Sequence, residues 1–230
     1  MGEHEAARWV RAMFDRVAHR YDLANHLLSM QMDRLWRARA ARLLHPVLAR
    51  PEARVLDLCC GTGDLALALE RTGRARVYGA DFSHSMLVRA RAKGVRRAAE
   101  ADALRLPLRD ASLDLVTAAF GFRNLANYEA GLREIRRVLR PGGVLAILEF
   151  SQPPGRIFGA LYGFYSRRVL PRIGGALSGS RDAYEYLPES VSRFPGPEKL
   201  AEAMRGAGFE DVKFERMTGG IVALHLGTAV

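Results

Sequence analysis

One glycine-rich turn most constrains what this chain can fold into. Residues 54–64 read Arg-Val-Leu-Asp-Leu-Cys-Cys-Gly-Thr-Gly-Asp, and the helical pattern Leu-Ala-Leu-Ala-Leu-Glu follows at 65–70. The apolar run from Val55 to Leu58 is typical of a buried parallel strand, and Gly61 and Gly63 open a tight turn into the helix. A strand, a glycine turn and a helix in this order predict a nucleotide site at the end of the strand.

Two kinds of nucleotide cofactor fit this turn. The glycine spacing satisfies the dinucleotide fingerprint, and Asp81 follows at about the right distance, roughly 20 residues, to hold a ribose diol. A dinucleotide, however, lays its pyrophosphate on the helix N-terminus, which favours anions. Asp64 lies in that first turn and Asp57 ends the strand, so both would repel a pyrophosphate and attract a sulfonium and an amine. We therefore expect S-adenosylmethionine rather than NAD, although Asp64 could also be a simple helix N-cap.

The pattern of strands and helices continues along the chain. Ser83 is a candidate N-cap of the helix at 83–92, and a second helix is expected at 129–139, where Arg140-Pro-Gly-Gly143 stops it. The remaining predicted strands cover residues 76–80, 97–101, 113–119, 144–150, 209–215 and 220–226. The expected fold is α/β: a Rossmann-like, class I S-adenosylmethionine-dependent methyltransferase with a mostly parallel seven-stranded sheet, a C-terminal antiparallel hairpin and helices on both faces.

Polar side chains follow several of these strands. In open α/β sheets, ligands bind outside the carboxyl edge of the strands. Asp81 is expected to contact both ribose hydroxyls there, and Asp102 to accept from an adenine amino group. Arg123 and Asn124 follow the fourth strand of the core and should also lie beside the cofactor.

The charge of the chain points to an anionic partner. Its 230 residues carry a formal net charge of +10, and 32 of the 35 basic residues are arginine. Such a balance favours nucleic acid or an anionic membrane surface. Because no basic run is interleaved with aromatic residues, we expect membrane contact and no nucleic acid.

The length fits one domain with one substantial core. We divide it into an N-terminal helical cap (1–50), a cofactor-binding core (51–150), an insert facing substrate or membrane (151–196), and a C-terminal helix and hairpin (197–230).

Cysteine use and hydropathy bear on the compartment. Cys59 and Cys60 are adjacent, so they neither bridge readily nor complete a zinc set, and we expect no metal. The N-terminus lacks the apolar core of a signal peptide, and no run approaches the roughly 18 apolar residues that span a bilayer. These features predict a cytoplasmic protein that touches the inner face of the cell membrane.

Two stretches outside the core have amphipathic or apolar character. Residues 6–20 predict an amphipathic helix, and a second helical stretch runs through Leu44 to the break at His45-Pro46. Residues 157–165 are apolar and aromatic and are flanked by arginines. That run fits a core helix, but we favour a helix that lies on a membrane interface or lines the path of an apolar substrate.

The chain resembles, almost end to end, the ubiquinone/menaquinone biosynthesis C-methyltransferases of the demethylmenaquinone methyltransferase type. The glycine turn and Leu-Arg-Pro-Gly-Gly at 139–143 occur in many methyltransferases, whereas Phe-Gly-Phe-Arg-Asn at 120–124 and Val-Leu-Pro-Arg-Ile-Gly at 169–174 are more specific. The resemblance implies transfer of a methyl group from S-adenosylmethionine to a ring carbon of a polyprenylated quinol, either a benzoquinol or a naphthoquinol. Many relatives have serine where this chain has Ala119, which removes one hydroxyl contact.

By matching position, the resemblance implies that Thr62, Asp81, Asp102 and Ala103 contact the cofactor. Asn124, Tyr184 and Tyr186 are the expected substrate contacts. The expected cofactor contacts are Asp57, Gly61, Thr62, Gly63, Asp81, Phe82, Asp102, Ala103 and Ala119.

The chemistry of ring methylation predicts the catalytic residues. A ring carbon is a poor nucleophile unless an adjacent hydroxyl is ionised, so the site needs a base or a cation that favours the phenolate. Arg123, which is always charged, is the expected cation, while Tyr21, Asp22 and His26 are secondary candidates in a segment that could fold over the cofactor. Three other functions stay open: a small-molecule methyltransferase of the same fold, an RNA methyltransferase, and a non-catalytic cofactor-binding protein. A homodimer also stays open.

Overall fold

A seven-stranded sheet forms the centre of the protein. The computed structural model describes residues 3–17, 26, 29–169, 171–172 and 181–230. The strands are β1 (Arg54–Leu58), β2 (Arg76–Asp81), β3 (Ala98–Glu100), β4 (Leu113–Ala119), β5 (Leu139–Phe150), β6 (Phe209–Met217) and β7 (Val222–Ala229). Their order is β3-β2-β1-β4-β5-β7-β6; β1 to β5 are parallel, and β7 runs antiparallel to both β5 and β6. The predicted fold class is confirmed.

Helices cover both faces of this sheet. They are α1 (Glu3–Val17), α2 (Met32–Leu43), α3 (His45–Leu48), α4 (Asp64–Thr72), α5 (His84–Ala92), α6 (Tyr128–Val138), α7 (Arg156–Phe164), α8 (Arg181–Arg193) and α9 (Pro197–Gly206). A π-helical turn (Tyr165–Val169) continues α7, and Phe122–Asn124 and Thr218–Gly220 are 3-10 turns. Within the described residues, no helix combines the length and apolarity needed to cross a bilayer.

The alternation of side chains along the central strands builds two hydrophobic cores. On β4, Val116 and Ala118 face the core that α6 and α9 cover, whereas Leu115 faces the core that α2, α3 and α4 cover. A strand covered on both faces must be apolar on both, which explains the uninterrupted apolar runs in the sequence. The same alternation puts Asp57 of β1 and Thr117 of β4 side by side.

Local sequence signals account for several helix ends. The predicted N-cap Ser83 accepts a hydrogen bond from the backbone N–H of Met86 (3.2 Å). Asn127 caps α6 in the same way, by accepting from the N–H of Ala130 (2.9 Å).

Several predicted boundaries differ from the structure, and two of them have a clear local explanation. Strand β5 begins at Leu139 rather than residue 144, because Leu139 pairs with Leu113 and the Pro-Gly-Gly sequence lies in an irregularity before the regular register resumes. The second helical stretch ends at Leu43, next to the predicted break at His45-Pro46, but Pro46 then lies in the first turn of the short helix α3, where proline is tolerated.

Candidate functional site

A cavity of about 870 Å³ opens at the carboxyl ends of β1, β2 and β4. Small-molecule sites typically measure roughly 300–1,000 Å³, so this cavity has room for a nucleotide cofactor and part of a second ligand. The sheet order reverses beside β1, because β2 lies on one side of it and β4 on the other. Such a reversal is where open α/β sheets bind ligands.

Gly61 and Gly63 of the turn have different structural roles. Gly61 lines the cavity at φ 54°, and a Cβ built there would meet no atom within 4 Å. Gly63 is not among the residues that line the cavity; it precedes α4 at φ 85°, and a Cβ there would lie 2.4 Å from Cγ2 of Val95. Gly61 therefore leaves space at the cavity wall, while Gly63 permits close packing behind it.

Asp57 places a buried carboxylate at the floor of the cavity. It is 1% exposed, and its Oδ1 accepts a hydrogen bond from Oγ1 of Thr117 (2.9 Å). Its buried Oδ2 has no hydrogen-bond partner among the described residues. Burial, the largest cause, raises the pKa of Asp57 to about 7, although the Thr117 bond and the charge of Arg37 oppose that shift. An orphaned buried oxygen of this kind suits a cationic or N–H donor ligand.

Asp81 closes the turn at the end of β2. Its Oδ2 accepts from the N–H of Gly61 (2.8 Å) and its Oδ1 from the N–H of Ser83 (2.9 Å). Burial raises its pKa, and these backbone bonds oppose the rise. Ser83 in turn donates to Oδ1 of Asp15 on α1 (2.6 Å), so α1 is tied to the predicted ribose site.

The other predicted cofactor residues surround this end. Oδ1 of Asp102 accepts from the N–H of Leu104 (2.9 Å), which orders the turn after β3. Thr62 is buried in the cavity wall, and its hydroxyl accepts from Nζ of Lys93 (3.2 Å). The remaining wall positions among them are Phe82, Ala103 and Ala119.

Asp64 does not present an uncompensated charge. It pairs with Lys93, its Oδ2 lies 3.8 Å from Nε2 of His26, and Arg37 approaches to 4.0 Å. Among the described residues that line the cavity, the carboxylates without an ion pair are those of Asp57, Asp81 and Asp102, which lie at or just after the strand ends. The interpretation of Asp64 as an uncompensated negative charge was therefore wrong, because basic residues distant in the sequence neutralise that charge.

His26 belongs to this charge network. Its Nδ1 lies 2.8 Å from Oδ2 of Asp33, which also pairs with Arg37 and accepts from Oγ of Ser29 (2.7 Å). Burial would raise the pKa of Asp33, but the Ser29 bond and the Arg37 charge outweigh it, so that pKa is lowered. His26 is not among the cavity-lining residues. Ligand atoms of His26, Asp33 and Asp64 lie within 4.8 Å of one another, and basic side chains already pair with both carboxylates.

Arg123 lies in the cavity wall, held by a buried ion pair. Its side chain is 5% exposed, and Nη1 donates to Oε1 of Glu149 (2.8 Å) and to the carbonyl of Phe120. Its Nε donates to Oγ of Ser190 on α8 (3.2 Å). With the described residues, Nη2 makes no hydrogen bond. The guanidinium is thus fixed on one side and retains donors for a ligand.

Only some of the predicted substrate residues can be located. Asn124 lines the cavity, and its buried Oδ1 has no partner among the residues described. Tyr186 of α8 is half-buried in the wall, with its ring 5.3 Å from that of Trp9. Tyr21 and Asp22 lie outside the described residues, as does the side chain of Tyr184.

Sequence reasoning identified only part of the apolar end of the cavity. Trp36, Phe120 and Phe150 form an aromatic cluster in its wall, with ring centroids 4.7–6.4 Å apart. The described wall residues on α7 and the π-helical turn are Phe158, Tyr162 and Tyr165. The apolar run at 157–165 signalled the second group, whereas Trp36 carried no local signal.

Comparison with known proteins gives consistent matches. A model of the ubiE/COQ5 methyltransferase family matches residues 1–229. A demethylmenaquinone methyltransferase from Thermus thermophilus is 52% identical over 221 residues, which cover 94% of this chain and 99% of the relative. The corresponding Deinococcus radiodurans protein is 49% identical over 224 residues, covering 95% and 91%. A solved S-adenosylmethionine-dependent methyltransferase from Thermotoga maritima has the same fold (TM-score 0.67, 22% identity, 95% and 99% coverage).

Proposed function

The chain belongs to the ubiE/COQ5 methyltransferase family, and on that premise we propose that it methylates a ring carbon of a polyprenylated demethylmenaquinol. It is an S-adenosylmethionine-dependent methyltransferase of the quinone type. The observation that carries the substrate proposal is the mixed lining of one cavity: buried carboxylates at the strand ends, an aromatic cluster, and Arg123, whose Cζ lies 5.4 Å from the centroid of the Phe150 ring in that cluster.

The residues at the strand ends fit S-adenosylmethionine. The orphaned Oδ2 of Asp57 suits its amine, the open space at Gly61 lets a ligand approach the backbone, and Asp81 ends β2 where a ribose diol is expected. The cofactor supplies an electrophilic methyl group on a sulfonium. Since methyl transfer neutralises charge, the protein contributes mainly by aligning the acceptor and excluding water.

Arg123 supplies the positive charge that favours the ionised hydroxyl and so makes the ring carbon more nucleophilic. In the proposed reaction the hydroquinol hydroxyl would lose its proton, its ring carbon would take the methyl group that the cofactor supplies, the proton on that ring carbon would leave, and the oxygen would regain a proton. Overall, quinol and cofactor become methylated quinol, S-adenosylhomocysteine and a proton. A donor at Arg123 stabilises the ionised oxygen, and Asn124 lies next to it in the wall. Tyr21, Asp22 and His26 remain the proposed candidates for the base.

The apolar end of the cavity suits a prenyl chain. Aromatic side chains of α2, β5 and α7 line it, and Met30 and Phe158 are wall residues that are 81% and 43% exposed. Wall residues that reach solvent mark an opening. A long isoprenoid tail can leave through this opening while the ring stays inside.

The direct test is turnover with defined acceptors. Purified protein, S-adenosylmethionine and chemically reduced demethylmenaquinol should give menaquinol by mass spectrometry, whereas the oxidised quinone should give no product. Expression in a strain that lacks its own quinone C-methyltransferase then shows which demethylated quinone disappears, the naphthoquinone or the benzoquinone. Methylation of soluble phenols but of no quinol would favour a small-molecule methyltransferase. Salt-dependent RNA binding without quinol turnover would favour an RNA methyltransferase.

We also propose peripheral contact with an anionic membrane, at the opening of the cavity. Phe158 and Phe164 of α7 are 43% and 61% exposed, Met30 lines the same cavity as Phe158, and the chain carries a net charge of +10. Wild-type protein should sediment with vesicles rich in phosphatidylglycerol and less with phosphatidylcholine vesicles. Phe164→Ser should weaken sedimentation, whereas Val88→Ser, at an exposed position on α5, serves as the control. Equal sedimentation of both variants and the wild type would refute this location.

A further inference from the structure

Glu149 is a buried carboxylate that the mechanism above does not use. It is 2% exposed at the end of β5. Its Oε1 accepts from Nη1 of Arg123 (2.8 Å) and from the N–H of Phe150 (2.8 Å). Its Oε2 accepts from the backbone N–H of Arg123 (3.2 Å). One carboxylate thus holds both the main chain and the side chain of the arginine that lines the cavity.

Other groups fix the remaining sides of the guanidinium. Ser190 of α8 accepts from Nε (3.2 Å), and the carbonyl of Phe120 accepts from Nη1. The Cζ atom lies 5.4 Å from the centroid of the Phe150 ring. These contacts use Nε and Nη1 and leave Nη2 without a partner among the described residues. The orientation of Arg123 is therefore decided by its surroundings before any acceptor enters.

The ion pair of Arg123 and Glu149 also determines the net charge beside a bound acceptor. A lone buried guanidinium is costly to desolvate, and Glu149 compensates its charge. The same carboxylate repels an anionic oxygen and so moderates the attraction that Arg123 offers. Removing the carboxylate charge has two opposite effects: it loosens the guanidinium and strengthens the net positive potential.

We propose that Glu149 is a positioning residue for methyl transfer, which aims the guanidinium of Arg123 at the acceptor and moderates how strongly it favours the ionised acceptor oxygen. The inference rests on the proposed function, because it needs an acceptor with an ionisable hydroxyl. Among the described residues, the other titratable groups that interact electrostatically with the pair are Tyr162 of α7 and Tyr186 of α8, which interact with Arg123, and Cys59 and Tyr186, which interact with Glu149.

The test combines a binding titration with kinetics. With S-adenosylhomocysteine present, 1-naphthol serves as the probe, and the absorbance of its anion reports the pKa of the bound hydroxyl. In Glu149→Gln we expect the pKa of bound naphthol to fall by about one pH unit below that in wild type. Turnover of demethylmenaquinol should fall about 10- to 100-fold at its pH plateau, with the Kd for the cofactor unchanged. Glu215→Gln, which removes a surface pair with Arg39 (3.0 Å), is the matched control and should change neither value.

Each outcome decides the matter. In Glu149→Gln, a bound-naphthol pKa that does not fall would overturn the moderating role of Glu149, and an unchanged kcat would overturn its positioning role. If wild-type protein leaves that pKa at its value in free solution, Arg123 and Glu149 both lose the role. Should Glu149→Gln not fold, Ser190→Ala tests the positioning half: kcat should fall with the naphthol pKa unmoved, and an unchanged kcat would overturn the proposal. A wild type that shifts the naphthol pKa but methylates no quinol would defeat the proposed function and the positioning role with it, while the effect of the Arg123–Glu149 pair on a bound hydroxyl would stand.

Discussion

The glycine turn offers a pair of substitutions that separate packing from binding. In Gly63→Ala the new Cβ would lie 2.4 Å from Cγ2 of Val95 and 3.3 Å from Cβ of Ala90, at φ 85°. A non-glycine residue in this region costs roughly 1–2 kcal/mol, and overpacking a tight core costs about 1–3 kcal/mol. We expect Gly63→Ala to lower the free energy of unfolding by about 2–5 kcal/mol, the sum of those two terms.

Gly61→Ala is the matched control. Its φ of 54° carries the same backbone strain, but its Cβ meets no atom within 4 Å, so we expect a loss of only about 1–2 kcal/mol. Because Gly61 lines the cavity, this variant should instead weaken S-adenosylmethionine binding, while folded Gly63→Ala should bind the cofactor nearly as well as wild type.

Urea unfolding followed by circular dichroism gives the two stabilities, and calorimetry gives the two affinities. A third variant checks the cause: adding Val95→Ala to Gly63→Ala should recover part of the loss, with a coupling energy of about 0.5–3 kcal/mol. Equal destabilisation by Gly61→Ala and Gly63→Ala, or additive effects of the Val95 change, would refute the packing argument.

Three further predictions concern titration and catalysis. Burial raises the pKa of Asp57 to about 7, so its ionisation opposes folding as pH rises from about 4 to 7. Asp57→Asn should therefore stabilise the cofactor-free protein at pH 8 in urea melts, yet weaken cofactor binding. A variant that is less stable than wild type at pH 8 would contradict this prediction. Burial also lowers the pKa of His225, so the unfolded chain binds a proton at a higher pH than the folded protein, and stability should fall as pH drops below about 6.5. In urea melts between pH 5 and 7.5, the stability of His225→Gln should depend less steeply on pH than that of wild type. An unchanged slope would exclude His225 as the source of the pH dependence. Arg123→Lys should lower kcat at least tenfold, because lysine cannot reproduce the fork, with little change in the cofactor Kd measured by calorimetry; an unchanged rate removes Arg123 from the mechanism.

Much of the cofactor end of the cavity could be predicted, because the sequence patterns that define it span only a few residues each. A short apolar run, two glycines and an acid about 20 residues further on define a strand, a turn and the next strand end. The structure brings Asp57, Gly61 and Asp81 to one cavity wall, as the rule for parallel sheets requires. Their roles as cofactor contacts remain predictions.

The charge pattern of the site could not be predicted in the same way. Asp64 was interpreted from its place in the first helical turn, but Lys93, which pairs with it, follows the end of α5, and Arg37, which approaches it, lies on α2. Likewise Arg123 and Glu149 are separated by 26 residues and meet because β4 and β5 are neighbours in the sheet.

What the sequence alone determined is the order of strands and helices, the glycine turn and the class of cofactor, since periodicity, turn chemistry and helix caps act over a few residues. Only the tertiary structure decided which charges are compensated, how Glu149 holds Arg123, and how aromatic residues from α2, β5 and α7 build one apolar wall. Those properties depend on distances between segments far apart in the chain. Burial then gives these distances their energetic weight, because charges and hydrogen bonds interact most strongly where water is excluded.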